Sequence, residues 1–494
     1  MYSELIRKTG IYSLAGIFSR MASFFMLPLY TRFLSTADYG VMELLDLTTS
    51  IVGLLFGARV GSAVFYYYFA APTQREKNRS INDVLFFSIA LGLLIVAVTI
   101  PGAPWISTIV FGSSQYKNYF QLLFCGFACS IPVEVGFSYI RAINRPGLYV
   151  RLAVLQTAVG AILNVFFLVY FHMGVKGMLI SSMVTSAALA VFLTQRTLSV
   201  GDISIQAKKM VELARYCFPL GLSGLAVFLI HYGDRAFLRR AISLGDLGVY
   251  SLGYKFGMLI AVIHAPFHLH WTSQVCGILQ RPDGEKIYAR SMSALIIALT
   301  FCAIVLTVFS GPLVKVMVAP AFLGASVLIP WIGFAYVMRA IGAHVQCVFT
   351  AEGRPGLELR VNAVGSLACL VAYATLIPRY KMWGAVAATA IGFGVILVHS
   401  VWEAQRLRHV TFESRRILRS CLVAAAAIAI FYAIRPAGFG MQLLAGLGCA
   451  AIYPYGIWLL CLNAEERKTI WSALVRLLRR MFVNRADIIP VQST

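Results

Sequence analysis

The chain has 494 residues, 59% of them hydrophobic and only 13% charged, with a formal net charge of +22. Soluble globular domains carry about 25% charged residues, so this composition, with a mean hydropathy of +0.78, excludes a soluble globular protein. The surplus positive charge lies in short breaks between apolar runs rather than on one soluble basic face, which excludes nucleic-acid binding.

Fourteen apolar runs follow one another, at about 10–30, 41–69, 82–107, 118–140, 149–171, 175–195, 213–235, 247–271, 290–317, 325–349, 358–378, 383–405, 417–435 and 440–462. A run of about 20 residues crosses a hydrocarbon core of about 30 Å as a helix. These runs are too long, and too little alternating, for barrel strands, so helices are the spanning structure left. Arg7 and Lys8 precede the first run, but that run contains Arg20 and continues into Pro28 and Arg32 without a small-residue cleavage site. It reads as a retained helix, not a signal peptide. The fold class expected is all-α: a polytopic membrane protein of about 14 transmembrane helices. Ten cysteines are scattered through the runs without CxxC spacing and read as small buried hydrophobes.

Charge sets the expected topology. With the N-terminus taken as cytoplasmic, the termini and even-numbered loops hold about 28 Lys and Arg, and the odd-numbered loops about 10. The positive-inside rule then places both termini in the cytoplasm. After Asn463, Ile470, Trp471, Leu474, Leu477, Leu478 and Met481 interleave with Arg467, Lys468, Arg476, Arg479 and Arg480. This is a basic amphipathic tail suited to an anionic leaflet.

The chain also repeats itself. Arg145-Pro146-Gly147-Leu148 returns as Arg354-Pro355-Gly356-Leu357, and Arg32, Ser35, Asp38, Gly40 and Val41 return as Arg240, Ser243, Asp246, Gly248 and Val249. Six spans separate the matched segments, so both copies enter the membrane in the same direction. Such halves are related by an axis along the membrane normal, with the ligand path between them. The organisation expected is an N-terminal six-helix lobe over 1–200, a C-terminal six-helix lobe over 201–410, two additional transmembrane helices over 411–463 and a cytoplasmic tail over 464–494.

Four cations fall well inside the runs, more than a helical turn from either end: Arg20, Arg59, Lys255 and Arg339. A charge at a helix centre costs at least roughly 2.5–3.5 kcal/mol, so each should face a partner or a water-filled cavity. Carboxylates are fewer. Glu134 is the one deep in a run, Glu43 and Asp46 lie near an end of the second, and Asp234 sits beside Arg235 at the end of the seventh. An interior with this balance stays net positive and suits an anionic headgroup such as a phosphate or diphosphate, which arginine binds bidentately. The competing reading pairs Arg20, Arg59 and Arg339 with Glu134, Asp46 and backbone carbonyls as structural links, and lets Lys255, about two turns from the outer end of its run, snorkel to the interface. His264 and His268 share a helix face, but no further ligand stands nearby in sequence and Pro266 is expected to disturb the helix between them, so no metal site is assigned. No cofactor is called for.

The segment Pro28-Leu29-Tyr30-Thr31-Arg32-Phe33-Leu34-Ser35, continuing to Tyr39-Gly40, resembles the first-loop signature of bacterial polysaccharide and O-antigen flippases. Asp234-Arg235, Leu247-Gly248-Val249-Tyr250-Ser251-Leu252 and Asn144-Arg145-Pro146-Gly147 resemble further parts of the same pattern. These flippases are the oligosaccharidyl-lipid exporters of the multidrug/oligosaccharidyl-lipid/polysaccharide exporter superfamily. The resemblance implies two six-helix lobes, alternating access, and transfer of an undecaprenyl-diphosphate-linked oligosaccharide across the bacterial cytoplasmic (inner) membrane. It further implies cavity cations on helices including the first, second and eighth, which here carry Arg20, Arg59 and Lys255. It also implies coupling to a proton or sodium gradient, for which Glu134, or Asp46 with Glu43, are the candidate groups in this chain. From the residues themselves, Arg20, Arg59, Lys255 and Arg339 would hold the diphosphate. Polysaccharide polymerase and glycosyltransferases are the implied protein partners. Gln156, Asn164, Gln346 and Asn362 are candidates for sugar hydrogen bonds. A multidrug or cation antiporter is the nearest alternative and would need an anionic cavity. A membrane-embedded polysaccharide polymerase would need catalytic groups on sizeable outer loops, and no outer loop here exceeds roughly fifteen residues.

Overall fold

The computed structural model describes residues 18–468 apart from 19–20, 23, 55–59, 199–208, 216, 218–227, 229–230, 355, 410–411, 435–437 and 465. Among them the chain is helical and forms no strand. In chain order the helices are α1 (Leu27–Phe33), α2 (Thr36–Val52), α3 (Val60–Ala70), α4 (Gln74–Phe111), α5 (Lys117–Ala142), α6 (Pro146–Val165) and α7 (Gly174–Leu198). There follow α8 (Asp234–Ala241), α9 (Leu244–Gly257), α10 (Leu259–Leu279), α11 (Gly284–Met317), α12 (Ala325–Ala351), α13 (Gly356–Leu407), α14 (Ser414–Ile434) and α15 (Phe439–Leu460).

Ten helical segments among the described residues are long and apolar enough to cross a membrane. One of them, α13, is two helices joined at Lys381, whose φ of 52° and ψ of −126° break the helical path. It therefore accounts for two of the fourteen apolar runs. The runs at 10–30, 41–69 and 213–235 pass partly outside the described residues, as does most of the 464–494 tail.

The surface is turned inside out relative to a soluble protein. Leu93, Val98 and Trp105 on α4 are 66%, 64% and 71% exposed, as suits helices solvated by lipid tails. Several buried hydroxyls return their hydrogen bonds to the local backbone. Ser88 Oγ donates to the Leu85 carbonyl, and the Thr185 and Thr389 hydroxyls donate to the Ser181 and Ala385 carbonyls. The helices pack into two compact units. The first runs to Phe256 and adds Leu313–Ala335 and Leu359–Ile396; the second holds Gly257–Pro312, Tyr336–Glu358 and the chain from Leu397.

The sequence repeat is a repeat of local structure. After α5, Asn144 takes a left-handed φ of 55°, and after α12 Gly353 takes 68°. In both places the following arginine N–H reaches back five residues, Arg145 to the Ile140 carbonyl and Arg354 to that of Phe349. These are matching Schellman ends, which satisfy the last carbonyls of each helix. At the other repeated segment, Ser35 and Asp38 form a capping box at the start of α2. Ser243 and Asp246 form the corresponding cap at α9, with Asp246 N–H donating to Ser243 Oγ at 3.0 Å. A Ser243→Ala variant is expected to lose about 1 kcal/mol of stability, read as a lower melting midpoint of the purified protein. An unchanged midpoint would show the cap to be idle.

The two capped helix starts also pack against each other by exchange. A β-carbon on Gly40 would lie 2.1 Å from the Leu244 carbonyl oxygen, and one on Gly248 would lie 2.1 Å from that of Thr36. Since 244 − 36 and 248 − 40 are both 208, repeat-related residues swap partners, as across an isologous two-fold contact. Glycine is required at both positions because the backbones touch. The crossing brings the faces of α2 and α9 that carry charged side chains together.

Candidate functional site

Those faces, with the start of α8, build a chain of alternating charges inside the first unit. Arg235 is 1% exposed, although it sits on a helix whose neighbours Arg239 and Arg240 are not buried. Its Nε donates to Glu43 Oε1 at 3.0 Å, and its Nη1 donates to Asp234 Oδ1 at 2.8 Å. The guanidinium lies over the Tyr254 ring, 4.4 Å from its centroid, with Tyr232 at 5.1 Å. Asp234, itself fully buried, accepts from the Tyr250 hydroxyl through its second oxygen. Burial of a charge is tolerable when it is paired and hydrogen-bonded, and Arg235 has two carboxylate partners, through Nε and Nη1.

The chain then runs outward. Glu43 Oε2 lies 3.3 Å from Lys255 Nζ, and Lys255 Nζ donates to the Tyr39 hydroxyl at 3.1 Å. The Lys255 side chain is 37% exposed against 7% for Glu43. Tyr39 is held by Phe322, ring centroids 5.6 Å apart. Glu43, Asp46, Thr49, Ser50, Tyr232, Arg235 and Lys255 line a cavity of about 330 Å3, with Asp46 exposed in it. Two cations and two carboxylates thus meet at this cavity, where the sequence led us to expect a cationic excess. Arg20 and Arg59, two of the four cations behind that expectation, lie outside the described residues.

The order of the chain has a chemical consequence. Lys255 is the exposed member, and Glu43 is shared between it and Arg235. If Lys255 turns to an incoming anion, Glu43 keeps its bond to Arg235 and is not left as an uncompensated buried charge. The site can therefore offer an ammonium group without incurring the full penalty of breaking a buried pair.

The remaining predicted residues fall elsewhere. Glu134 on α5 pairs with Arg141, two turns along the same helix, at 3.0 Å, and accepts from Ser138 at 3.3 Å. Its side chain is 47% exposed. Arg141 in turn lies 5.4 Å and 5.8 Å from the Phe65 and Tyr149 ring centroids. Arg339 belongs to the second unit, within electrostatic reach of His264 and His268, and its Nη1 is buried with no hydrogen-bond partner. The His264 and His268 rings are 5.3 Å apart. Helix α10 runs unbroken through Pro266, contrary to the expected disturbance, because a proline in a membrane helix is re-satisfied by its surroundings. Among the described residues no three His, Cys, Asp or Glu side chains cluster to hold a metal. Two of the candidate sugar contacts are engaged within the protein: Asn164 Nδ2 donates to the Tyr30 hydroxyl, and Gln346 Nε2 to Ser400 Oγ.

Sequence reasoning passed over Arg235, because an arginine at the end of an apolar run reads as a loop residue. The usable signal was its setting: an Asp-Arg pair preceded by Tyr232 and followed by Tyr250 and Tyr254 one helical turn apart.

With this geometry in hand, comparison with known proteins is informative. Residues 5–269, more than half of the chain, match the protein family described as "Polysaccharide biosynthesis protein". The fold is similar to that of the lipid II flippase MurJ in an inward closed conformation, with a TM-score of 0.71 at 14% identity, covering 90% of this chain and 97% of that one. It is also similar to an inward-facing multidrug resistance MATE family transporter of the MOP superfamily, with a TM-score of 0.65 at 16% identity, covering 79% and 95%. Multidrug export protein MepA of Staphylococcus aureus is 21% identical over 259 residues, which is 44% of this chain and 57% of MepA. The chain spans 38% to 57% of the length of the curated relatives it matches. The polytopic helical fold of MurJ and MATE transporters is thus shared across nearly the whole chain.

Proposed function

The chain belongs to the polysaccharide biosynthesis protein family, and from that premise we propose that it flips an undecaprenyl-diphosphate-linked oligosaccharide across the bacterial cytoplasmic membrane. The observation that carries this reading is Lys255, a half-buried lysine whose ammonium meets Glu43 and Tyr39 in the lining of a cavity of about 330 Å3. A diphosphate headgroup cannot enter hydrocarbon without losing its hydration, and cations must replace that water. Lys255 supplies one such contact as a compact point charge, while Arg235 keeps Glu43 satisfied. Arg20, Arg59 and Arg339 are the further cationic candidates that the sequence offers for this reading.

In this reading the two six-helix lobes over 1–200 and 201–410 alternate in exposing the site, and residues 411–463 add two further spans. Both termini face the cytoplasm. Asp46 and Glu43 are the groups through which a proton or sodium ion would be coupled, with Glu134 as the other candidate. The polysaccharide polymerase and the glycosyltransferases act on the same lipid-linked unit on the two faces of the membrane.

A hydrogen bond to a charged group contributes about 1.5–3 kcal/mol. Lys255→Ala should therefore slow transport by roughly ten- to a hundredfold. The test is a strain that depends on this protein for surface polysaccharide, scored for polysaccharide and for protein in the membrane. Arg339→Ala is expected to act in the same direction. Normal polysaccharide in both variants at normal protein level would remove the cationic contacts from the mechanism.

One observation favours a second reading. Glu43 and Asp46 line the same cavity and would suit a cationic drug, as in a multidrug antiporter. The purified protein in liposomes separates the two: export of a cationic dye against a proton gradient supports the antiporter, and movement of a fluorescent polyprenyl diphosphate sugar supports the flippase.

A further inference from the structure

We propose that the paired ends of α14 and α15 form a binding site for the phosphate headgroup of a bulk anionic phospholipid, separate from the transported substrate. The first turn of α14 and the last turn of α15 meet at a cavity of about 370 Å3, lined by Glu413, Ser414, Arg415, Arg416, Arg419 and Asn463 among others. Three arginines face one carboxylate there.

These arginines divide the work. Arg416 is a clamp: its Nη1 donates to Glu413 at 3.3 Å and to Glu466, beyond α15, at 2.9 Å. That pins the two helix ends together and consumes both nearby carboxylates. Arg419 donates through Nη1 to the Leu460 carbonyl at 3.0 Å, which fixes its position over the end of α15 and leaves its other donors directed away from that carbonyl. Arg415 is exposed, and neither Arg415 nor Arg419 has a carboxylate partner among the described residues. Two guanidinium groups with free donors, beside a cavity whose acids are already engaged, form a receptor for a phosphate oxygen set.

What selects a lipid over a soluble phosphate is the surface next to the arginines. Arg415, Leu418, Arg419 and Leu422 recur at i, i+3, i+4 and i+7, one face of α14. Leu418 and Leu422 are 61% and 60% exposed, and Leu459 and Leu460 on α15 are 49% and 53% exposed. The cations sit where an apolar helix emerges, and apolar side chains continue from them along the spanning segment. A phosphate at the arginines would carry its acyl chains along these leucines, the arrangement of a basic interfacial site for an anionic headgroup.

The probe is phosphatidylglycerol. Full-length protein is purified, exposed to mixed micelles of phosphatidylglycerol and phosphatidylcholine, and the bound lipid is counted by native mass spectrometry. The expected result is a preference for phosphatidylglycerol that falls roughly tenfold or more in Arg415→Gln/Arg419→Gln. Arg416 is left in place so that the helix ends stay clamped, and the melting midpoint of the variant checks this. Inorganic phosphate in the same micelles should not displace the lipid, and Leu418→Gln/Leu422→Gln should also weaken binding. Equal phosphatidylglycerol binding by wild type and the arginine variant would overturn the site. Displacement by millimolar phosphate, with no effect of the leucine variant, would overturn the lipid and leave a soluble anion as the ligand.

Discussion

Replacing Arg235 with alanine is expected to remove most of the folded protein from the membrane. The change leaves Glu43 with Lys255 as its one remaining cation, and leaves Asp234 with no cation, held by the Tyr250 hydroxyl and the residue-235 backbone N–H. Both carboxylates are buried, at 6% and 0% exposure. Breaking a buried pair by deleting one partner costs about 3–5 kcal/mol, of the order of a third or more of the total stability of a typical domain. The loss of the guanidinium packed on Tyr254 and Tyr232 adds to it. The measurement is membrane abundance and the melting midpoint of whatever protein can be purified. Arg235→Lys separates charge from shape: it keeps the cation but loses the planar fork that serves Glu43 and Asp234 through different nitrogens, so it should fall between alanine and wild type. A midpoint for Arg235→Ala within a degree of wild type would sink the claim that this network holds the first unit together.

Gly248→Ala is the second large effect. The added methyl would lie 2.1 Å from the Thr36 carbonyl oxygen, and that oxygen belongs to the capped start of α2 and has no rotamer by which to move away. The helices must part by about an ångström, and overpacking of this kind costs about 1–3 kcal/mol or more. Because Gly40 makes the reciprocal contact, separation forced by one substitution makes room for the other. The double variant Gly40→Ala/Gly248→Ala should therefore lose clearly less than the sum of the two singles, a coupling expected of residues that share one contact. Strict additivity would show that the crossing is not a single shared contact. The same crossing sets the α2 face carrying Glu43 against the α9 face carrying Lys255, so the singles should also lower transport beyond what their abundance explains.

These two sites differ in how far they could be read from the chain. The Ser35 and Ser243 caps and the turns at Asn144 and Gly353 were visible as a repeat, because each depends on residues within about five positions; Gly40 and Gly248 repeat too, but the carbonyls they meet lie 204 and 212 positions away. A cap or a Schellman end is local chemistry and survives translation along the chain. The role of Arg235 was not visible: its partner Glu43 lies 192 positions earlier, and the Asp-Arg pair that sets it apart from Arg239 and Arg240 does not reveal that partner. Lys255 was singled out as an embedded cation, but its pairing with Glu43 and its hydrogen bond to Tyr39, 216 positions away, were not. Glu134 was singled out for its place in the middle of an apolar run, but its partner Arg141, two turns along the same helix, was not.

By itself the sequence determined that this chain is a polytopic helical membrane protein with a repeated scaffold. The bilayer offers no hydrogen bonds, so every spanning segment must be a long apolar helix, and that demand is written residue by residue. Only the tertiary structure decided which charges neutralise one another and which stay free to meet a ligand. Electrostatic pairing acts through space over a few ångströms, between residues whose separation along the chain carries no information about their distance.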